Sequence, residues 1–352
     1  MKANSLYTQH PRSLTTLYSD LDHQSALERT ILIGTPGSLI ERSNGKGFRY
    51  YAHQFYDVFG KKKEKYLSGP VGDETAEAIY ESLKLQIEEQ RETVSEIRLL
   101  GREGYQITDK KTYATIATLH NHQFFRAGGI LIGSHAFGVL LNHLGIRAPS
   151  YATEDIDLAR PYPLEFEPPL KINFLEMLQA SSISFIAIPP FNRKDPSVQW
   201  KERGRTRFHV DLLTHSNNEN FTIVSIPELG VYAQGIPYLR YLLSESHFAT
   251  LLSRHGSCQV RVPIAERFAI HKLLVSQFRT GHGAKVNKDL EQAKVLIAAL
   301  GELHNGALTD ALHALPISVR SKVKKSLNAL QATLESKHPQ SWEECIQAIE
   351  DW

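Results

Sequence analysis

Two aspartates separated by one residue, Asp155-Ile156-Asp157, stand 21 positions after a Gly133-Ser134 pair. On an extended strand side chains alternate at about 3.3 Å per residue, so the two carboxylates would project from one face roughly 6–7 Å apart. Carboxylates so placed suit Mg²⁺ or Mn²⁺, hard cations that complete their shells with water and substrate phosphates. Ile156, between them, would turn to the core. With 38 acidic residues in the chain, chance alone supplies about four acidic pairs at this spacing. The neighbouring residues must therefore carry the specificity.

Upstream, RAGGILIGSHAFGVLLNHLG reads as a short strand from Gly129 to Ile132, a tight turn at Gly133-Ser134, and a helix running to about Leu144. A glycine lets a phosphate approach the backbone, and the serine hydroxyl and helix N-terminal N–H groups donate to anions. A third acid follows in RGRTRFHVDLLTH. Phe208, Val210 and Leu212 alternate as in a strand, leaving Asp211 as a carboxylate in an apolar run. It either faces solvent at a strand edge or joins Asp155 and Asp157 around a metal; the nearby pair favours the second reading.

The blocks IGSHAFGVLL, TEDIDLAR and FHVDLLT, in that order, resemble the polymerase-beta-like nucleotidyltransferase superfamily over about residues 125–215. The spacing between Gly-Ser and the first acid is longer than in compact members. The pattern is closest to the bacterial branch of abortive-infection and toxin-type nucleotidyltransferases, which carry Ser or Thr two residues before the first acid, here Thr153. That resemblance implies an α+β fold with a mixed-sheet core. It further implies that Gly133, Ser134, Thr153, Lys272 and Asp289 bind a nucleoside triphosphate while Asp155, Asp157 and Asp211 hold metal.

Lys272 lies in a predicted helix from about Ile264 to Phe278, near the border of a stripe formed by Phe268, Leu274, Val275 and Phe278. From there it would reach a triphosphate, or simply remain solvated. Lys288-Asp289 would form the N-terminal turn of the next helix, where an acid is favourable on dipole grounds alone.

The remaining chain must position these residues. An N-terminal β-rich element spans 1–70, connecting helices 71–120, the catalytic core 121–263, and a helical domain 264–352. Asn44-Gly45 and Gly60 mark turns of an antiparallel meander rich in aromatics. Tyr50, Tyr51, Phe55 and Tyr56 alternate there with Arg49 and His53 and approach Lys61-Lys62-Lys63. These rings would either pack the sheet beside solubilising lysines, the plainer expectation, or stack bases and hold phosphates. Asp73 is a predicted N-cap for a long helix to about Leu100, with Ala76, Ile79, Leu83, Ile87, Val94 and Ile97 on its apolar face. A second helix covers about 109–120. NFTIVSI, IPYLRYLL and HFATLLSRHGSCQVRVP read as further strands, the last as a hairpin. Helices near 286–299, 302–314, 318–334 and 340–350 suggest a bundle, with the nucleotide in a cleft between core and bundle.

At 352 residues and 41% hydrophobic content the chain can bury substantial cores, and its net charge of +2 is not that of a strongly basic nucleic-acid binder. Two cysteines, Cys258 and Cys345, form neither a disulfide framework nor a zinc motif. MKANSLYTQHPRSLTTLYSD lacks the apolar run of a secretory leader, and no stretch reaches about 18 apolar residues, so a cytoplasmic, membrane-free protein is expected.

The expected reaction is Mg²⁺-dependent transfer of an NMP from an NTP to an acceptor hydroxyl, releasing pyrophosphate, with Arg160 or Arg207 as further phosphate contacts. An RNA or tRNA end is slightly favoured over a protein or small-molecule acceptor. The alternatives are a γ-phosphotransferase on the same fold and a catalytically silent nucleotide- or RNA-binding module of a defence or toxin–antitoxin system.

Overall fold

The computed structural model describes residues 5–28, 30–149, 153–190, 192, 194–217, 220–279, 283–350 and 352. The first four residues of the N-terminal stretch read above lie outside these. The fold is α+β, as expected, and is organised around a mixed sheet.

Five strands run across this sheet in the order Thr222–Ile226, Val231–Ile236, His209–His215, Asp155–Arg160 and Ile130–Ile132. His209–His215 is parallel to Asp155–Arg160 along its length and parallel to Val231–Ile236 over its second half. Over its first half it pairs antiparallel with Gln199–Glu202, which in turn holds Phe185–Ala187. Alternation sets the two faces. Ile156, Leu158, Val210 and Leu212 are fully buried on one face, and Asp155, Asp157 and Asp211 lie on the other.

The helix following Ile130–Ile132 runs over Gly133–His143 and is anchored by buried Ala136, Phe137, Val139, Leu140 and Leu141. Phe137 stacks at 6.3 Å on Phe268 of the helix Ala265–Phe278, joining the core to the C-terminal helices. The hairpin Ser246–Ser253/Gly256–Pro263 forms as its sequence predicts, and its strands are almost wholly buried. IPYLRYLL is different: Leu239–Leu243 is a short helix, because three consecutive buried residues, Tyr241 to Leu243, face surroundings on more than one side. Residues near 318–334 also divide, into helices Arg320–Asn328 and Gln331–Lys337.

At the N-terminus a helix over Arg12–Leu27, which strand patterning did not foretell, packs Tyr18 and Leu21 against Ile97, Leu100, Tyr105 and Leu252. The meander is present as Ser38–Ser43, Arg49–Tyr56 and Lys62–Ser68. The long helix spans Glu74–Arg102, and the Asp73 carboxylate accepts from the Ala76 N–H at 3.1 Å. Ala76, Ile87, Val94 and Ile97 are buried as expected, whereas Ile79 is exposed. The next helix, Lys110–Asn121, is capped by Asp109 through the Lys111 and Thr112 N–H groups. No helix among the described residues is long and apolar enough to cross a membrane.

Candidate active site

The two parallel strands place Asp155 opposite His209 and Asp157 opposite Asp211. The four side chains therefore share one face of the sheet, two on each strand. Ile132 pairs with Asp157 from the other side, so the chain enters the Gly133–His143 helix directly beside that carboxylate. Gly133 has φ +70°, and a Cβ there would collide with the Asp157 carboxylate. Only glycine meets both demands at this position. The helix start has no side-chain cap, so no side chain at the cap position satisfies its first N–H groups. Thr153 Oγ1 accepts from the Asp155 N–H at 3.3 Å, fixing the entry to the strand.

Electrostatics distinguish the three acids. Burial and the neighbouring Asp211 push the Asp157 carboxyl up to about 7, while Lys272 pulls it down. Burial also raises Asp211, opposed by His209 and by a 2.9 Å hydrogen bond donated by Gln199 Nε2. Burial alone would lower His209, but the Arg207 carbonyl and the surrounding carboxylates outweigh it and raise its pKa. Its Nδ1 lies 2.8 Å from that carbonyl and 3.2 Å from Asp155, and its Nε2 lies 3.7 Å from Asp211.

Among the described residues, no three His, Cys, Asp or Glu side chains close into a ready-made metal cage. An open, oxygen-only set instead suits a hard cation that keeps water and substrate oxygens as ligands. The Asp155 side chain is 42% exposed and that of Asp211 18%, so both are accessible to such an ion. The residues present fit a divalent cation on this chemistry: like charges crowded onto one sheet face raise the Asp157 carboxyl unless a cation compensates them.

Lys272 and Asp289 come together, but in a way the sequence did not suggest. Lys272 is buried within a helix buried on nearly all sides, and its Nζ donates to Asp289 Oδ1 at 2.7 Å. Asp289 lies well inside the helix Gly283–Leu303 instead of at its first turn, and it also ion-pairs with Arg279 Nε at 2.6 Å. The pair ties two helices together close enough to the sheet for the Lys272 charge to act on Asp157. Lys285 and Lys288 of the second helix act on Asp211 and on the Asp155/Asp157 pair in the same way.

Arg160 does not reach this face. It is held by Glu228 at 2.7 Å, whose carboxylate also caps the Leu164 N–H. Arg207 is exposed and contributes its carbonyl. A cavity of about 760 Å³ opens beside the Gly133-Ser134 turn. It is lined by Asp109, Lys110 and Lys111, by Ser134 and His135, and by Thr153 and Glu154, while none of the three aspartates borders it. Among the described residues, none of the C-terminal helices borders it.

His209, Gln199 and His135 escaped the sequence reading. His209 is two residues before Asp211 and so shares its face, a signal that the alternation contained. Gln199 had none, since its strand was not recognised. His135, next to Ser134, is pushed down to about 4 by burial, and its Nε2 has no hydrogen-bond partner among the described residues.

No curated protein matches the chain. The model of a family described as nucleotidyltransferase matches residues 110–316, more than half of the chain and all of the sheet face built above. The chain belongs to this nucleotidyltransferase family, and it is an enzyme that transfers nucleotidyl groups.

Proposed function

We propose that this chain transfers an NMP from an NTP to an acceptor hydroxyl, with pyrophosphate leaving, at the face formed by Asp155, Asp157 and Asp211. The observation that carries the reading is the in-register pairing of Asp157 with Asp211, with Gly133 against the first carboxylate. Asp155, Asp157 and Asp211 would hold a divalent cation, Mg²⁺ by the all-oxygen donor set. When bound it supplies charge neutralisation to the triphosphate and to the oxygens exchanging at phosphorus.

The chain's own groups do the remaining work. The backbone N–H groups from Gly133 onward and the Ser134 hydroxyl bind phosphate oxygens at an uncapped helix start. Thr153 orients the backbone of Asp155. His209 spans Asp155 and Asp211, so it fixes their rotamers and shares their negative charge. Asp211, accessible and steadied by Gln199, is placed to accept a hydrogen bond from the acceptor hydroxyl. Lys272, held by Asp289, sets a fixed positive charge behind the site, where it favours an anionic substrate.

An RNA end is the acceptor this reading favours. The test incubates the full chain with each α-labelled NTP and Mg²⁺ in the presence of cell RNA, protein or small hydroxyl compounds. Pyrophosphate release with label in an acceptor is expected, lost in Asp155→Ala/Asp157→Ala and in EDTA. Release of nucleoside diphosphate instead would identify γ-phosphotransfer, and an unaffected double variant would sink the assignment.

A further inference from the structure

The meander has an unpartnered face. Tyr51, His53 and Phe55 share one side, where Tyr51 bonds Glu77 of the long helix at 2.7 Å and packs at 4.3 Å on Tyr80, and His53 Nε2 lies 2.8 Å from the Pro36 carbonyl. The register puts Tyr50, Tyr56 and Tyr66 on the other side, where Phe48 stacks on Tyr50 at 6.2 Å and Tyr50 lies 5.5 Å from Tyr66. Phe48 is 41% exposed, Tyr56 50% and Tyr66 57%, an uncommon concentration of open rings for one small sheet. From Tyr50 to Tyr56 this side extends about 20 Å, with Ala52, Gln54 and the Arg42–Glu64 ion pair lying between the rings.

Charge indicates what this face accepts. Between Glu41 and Lys65 the meander carries seven Lys and Arg against three acids, a net +4, whereas the whole chain carries only +2. Lys46 stands at one end of the ring row and Lys61 and Lys62 at the other, all exposed. Protein-binding surfaces concentrate aromatics but are depleted in lysine. Aromatic faces framed by lysine are the combination that stacks bases and holds a phosphate backbone.

The face also leads to the cavity beside the Gly133-Ser134 turn. Phe59, at the turn closing the row, lies under the Lys111 ammonium at 5.5 Å, and Lys111 lines the 760 Å³ cavity that contains Ser134 and Thr153. We infer that the open face of the meander binds single-stranded nucleic acid and feeds its end along Phe59 and Lys111 into that cavity as the acceptor. The destination of the end rests on the transfer reading above, whereas the binding does not.

Anisotropy of short fluorescent strands tests this on the full chain, with single-stranded RNA, single-stranded DNA and duplex RNA of one sequence. Single strands bind in preference to duplex, and the tighter of RNA and DNA names the natural source. Tyr56→Ala/Tyr66→Ala loses about tenfold or more in affinity at an unchanged melting temperature, while Tyr66→Phe stays within about twofold. Lys61→Glu/Lys62→Glu weakens binding and flattens its salt dependence. The inference is overturned if neither single strand binds, if duplex binds equally well, or if removing the rings leaves affinity unchanged. Asp155→Ala/Asp157→Ala separates the two readings, since it should bind strands like wild type. Strand binding by a chain that transfers no label refutes the transfer reading alone, and transfer to a small hydroxyl compound without strand binding refutes this inference alone.

Discussion

Gly133 and Asp157 occupy each other's only available space: the glycine, at φ +70°, lies where any Cβ would strike the aspartate carboxylate. The contact couples the Gly133-Ser134 turn to the acid on the neighbouring strand, so a change in one displaces the other. Gly133→Ala is expected to lower the rate of pyrophosphate release by about 10²-fold through misplacement of both groups. It should also cost about 1–3 kcal/mol of stability. Ser134→Ala, which leaves the backbone unchanged, should cost less on both counts in the same assay and melt.

Asp157 and Asp211 are like charges held in register, so the site is built against stability. Asp157→Asn removes one charge without changing shape. Activity should fall by about 10²- to 10³-fold, while the melting temperature in metal-free buffer rises by about 2–4 °C. A melting temperature that falls would mean the carboxylates are not in conflict.

Asp289 satisfies two cations, Lys272 at 2.7 Å and Arg279 at 2.6 Å. Removing one partner of a buried pair costs about 3–5 kcal/mol because a charge is left behind. Asp289→Ala should therefore destabilise more than Lys272→Ala, in which Arg279 still compensates the carboxylate. Urea melts of both variants and of Lys272→Met/Asp289→Leu, which should recover much of the loss, check this ordering.

Acid lability is expected from His247 and His143, whose rings lie 4.6 Å apart. Burial and the neighbouring His143 lower the pKa of His247 from 6.5 to about 4, and burial lowers His143 as well. As pH falls, the unfolded chain takes up these protons first, so the stabilisation is complete above 6.5 and is lost toward 4. His247→Gln should flatten the fall in stability across that window, by on the order of 2 kcal/mol after allowing for partial exposure. Denaturant melts at stepped pH measure the slope.

Much of the site was legible in the chain because local rules govern it. Period-two alternation put Asp155, Asp157 and Asp211 on one face of their strands, and the Gly-Ser turn marked the helix start that follows. The same alternation held His209, whose role became plain only when two parallel strands brought it opposite Asp155. Local propensity also located the meander, the Asp73 cap and the C-terminal hairpin.

What the linear pattern could not determine depended on residues far apart in sequence. Lys272 read as a border lysine, yet it is buried, because helix Gly283–Leu303 folds back and offers Asp289 as a counter-charge. Arg160 was a free phosphate contact until Glu228, 68 residues on, bound it. The sequence by itself determined which face of their strands the acids share and where the Gly-Ser turn starts its helix, since both follow from alternation and turn geometry. Tertiary structure decided which charges are free and which are paired, because pairing requires contacts that no local period encodes.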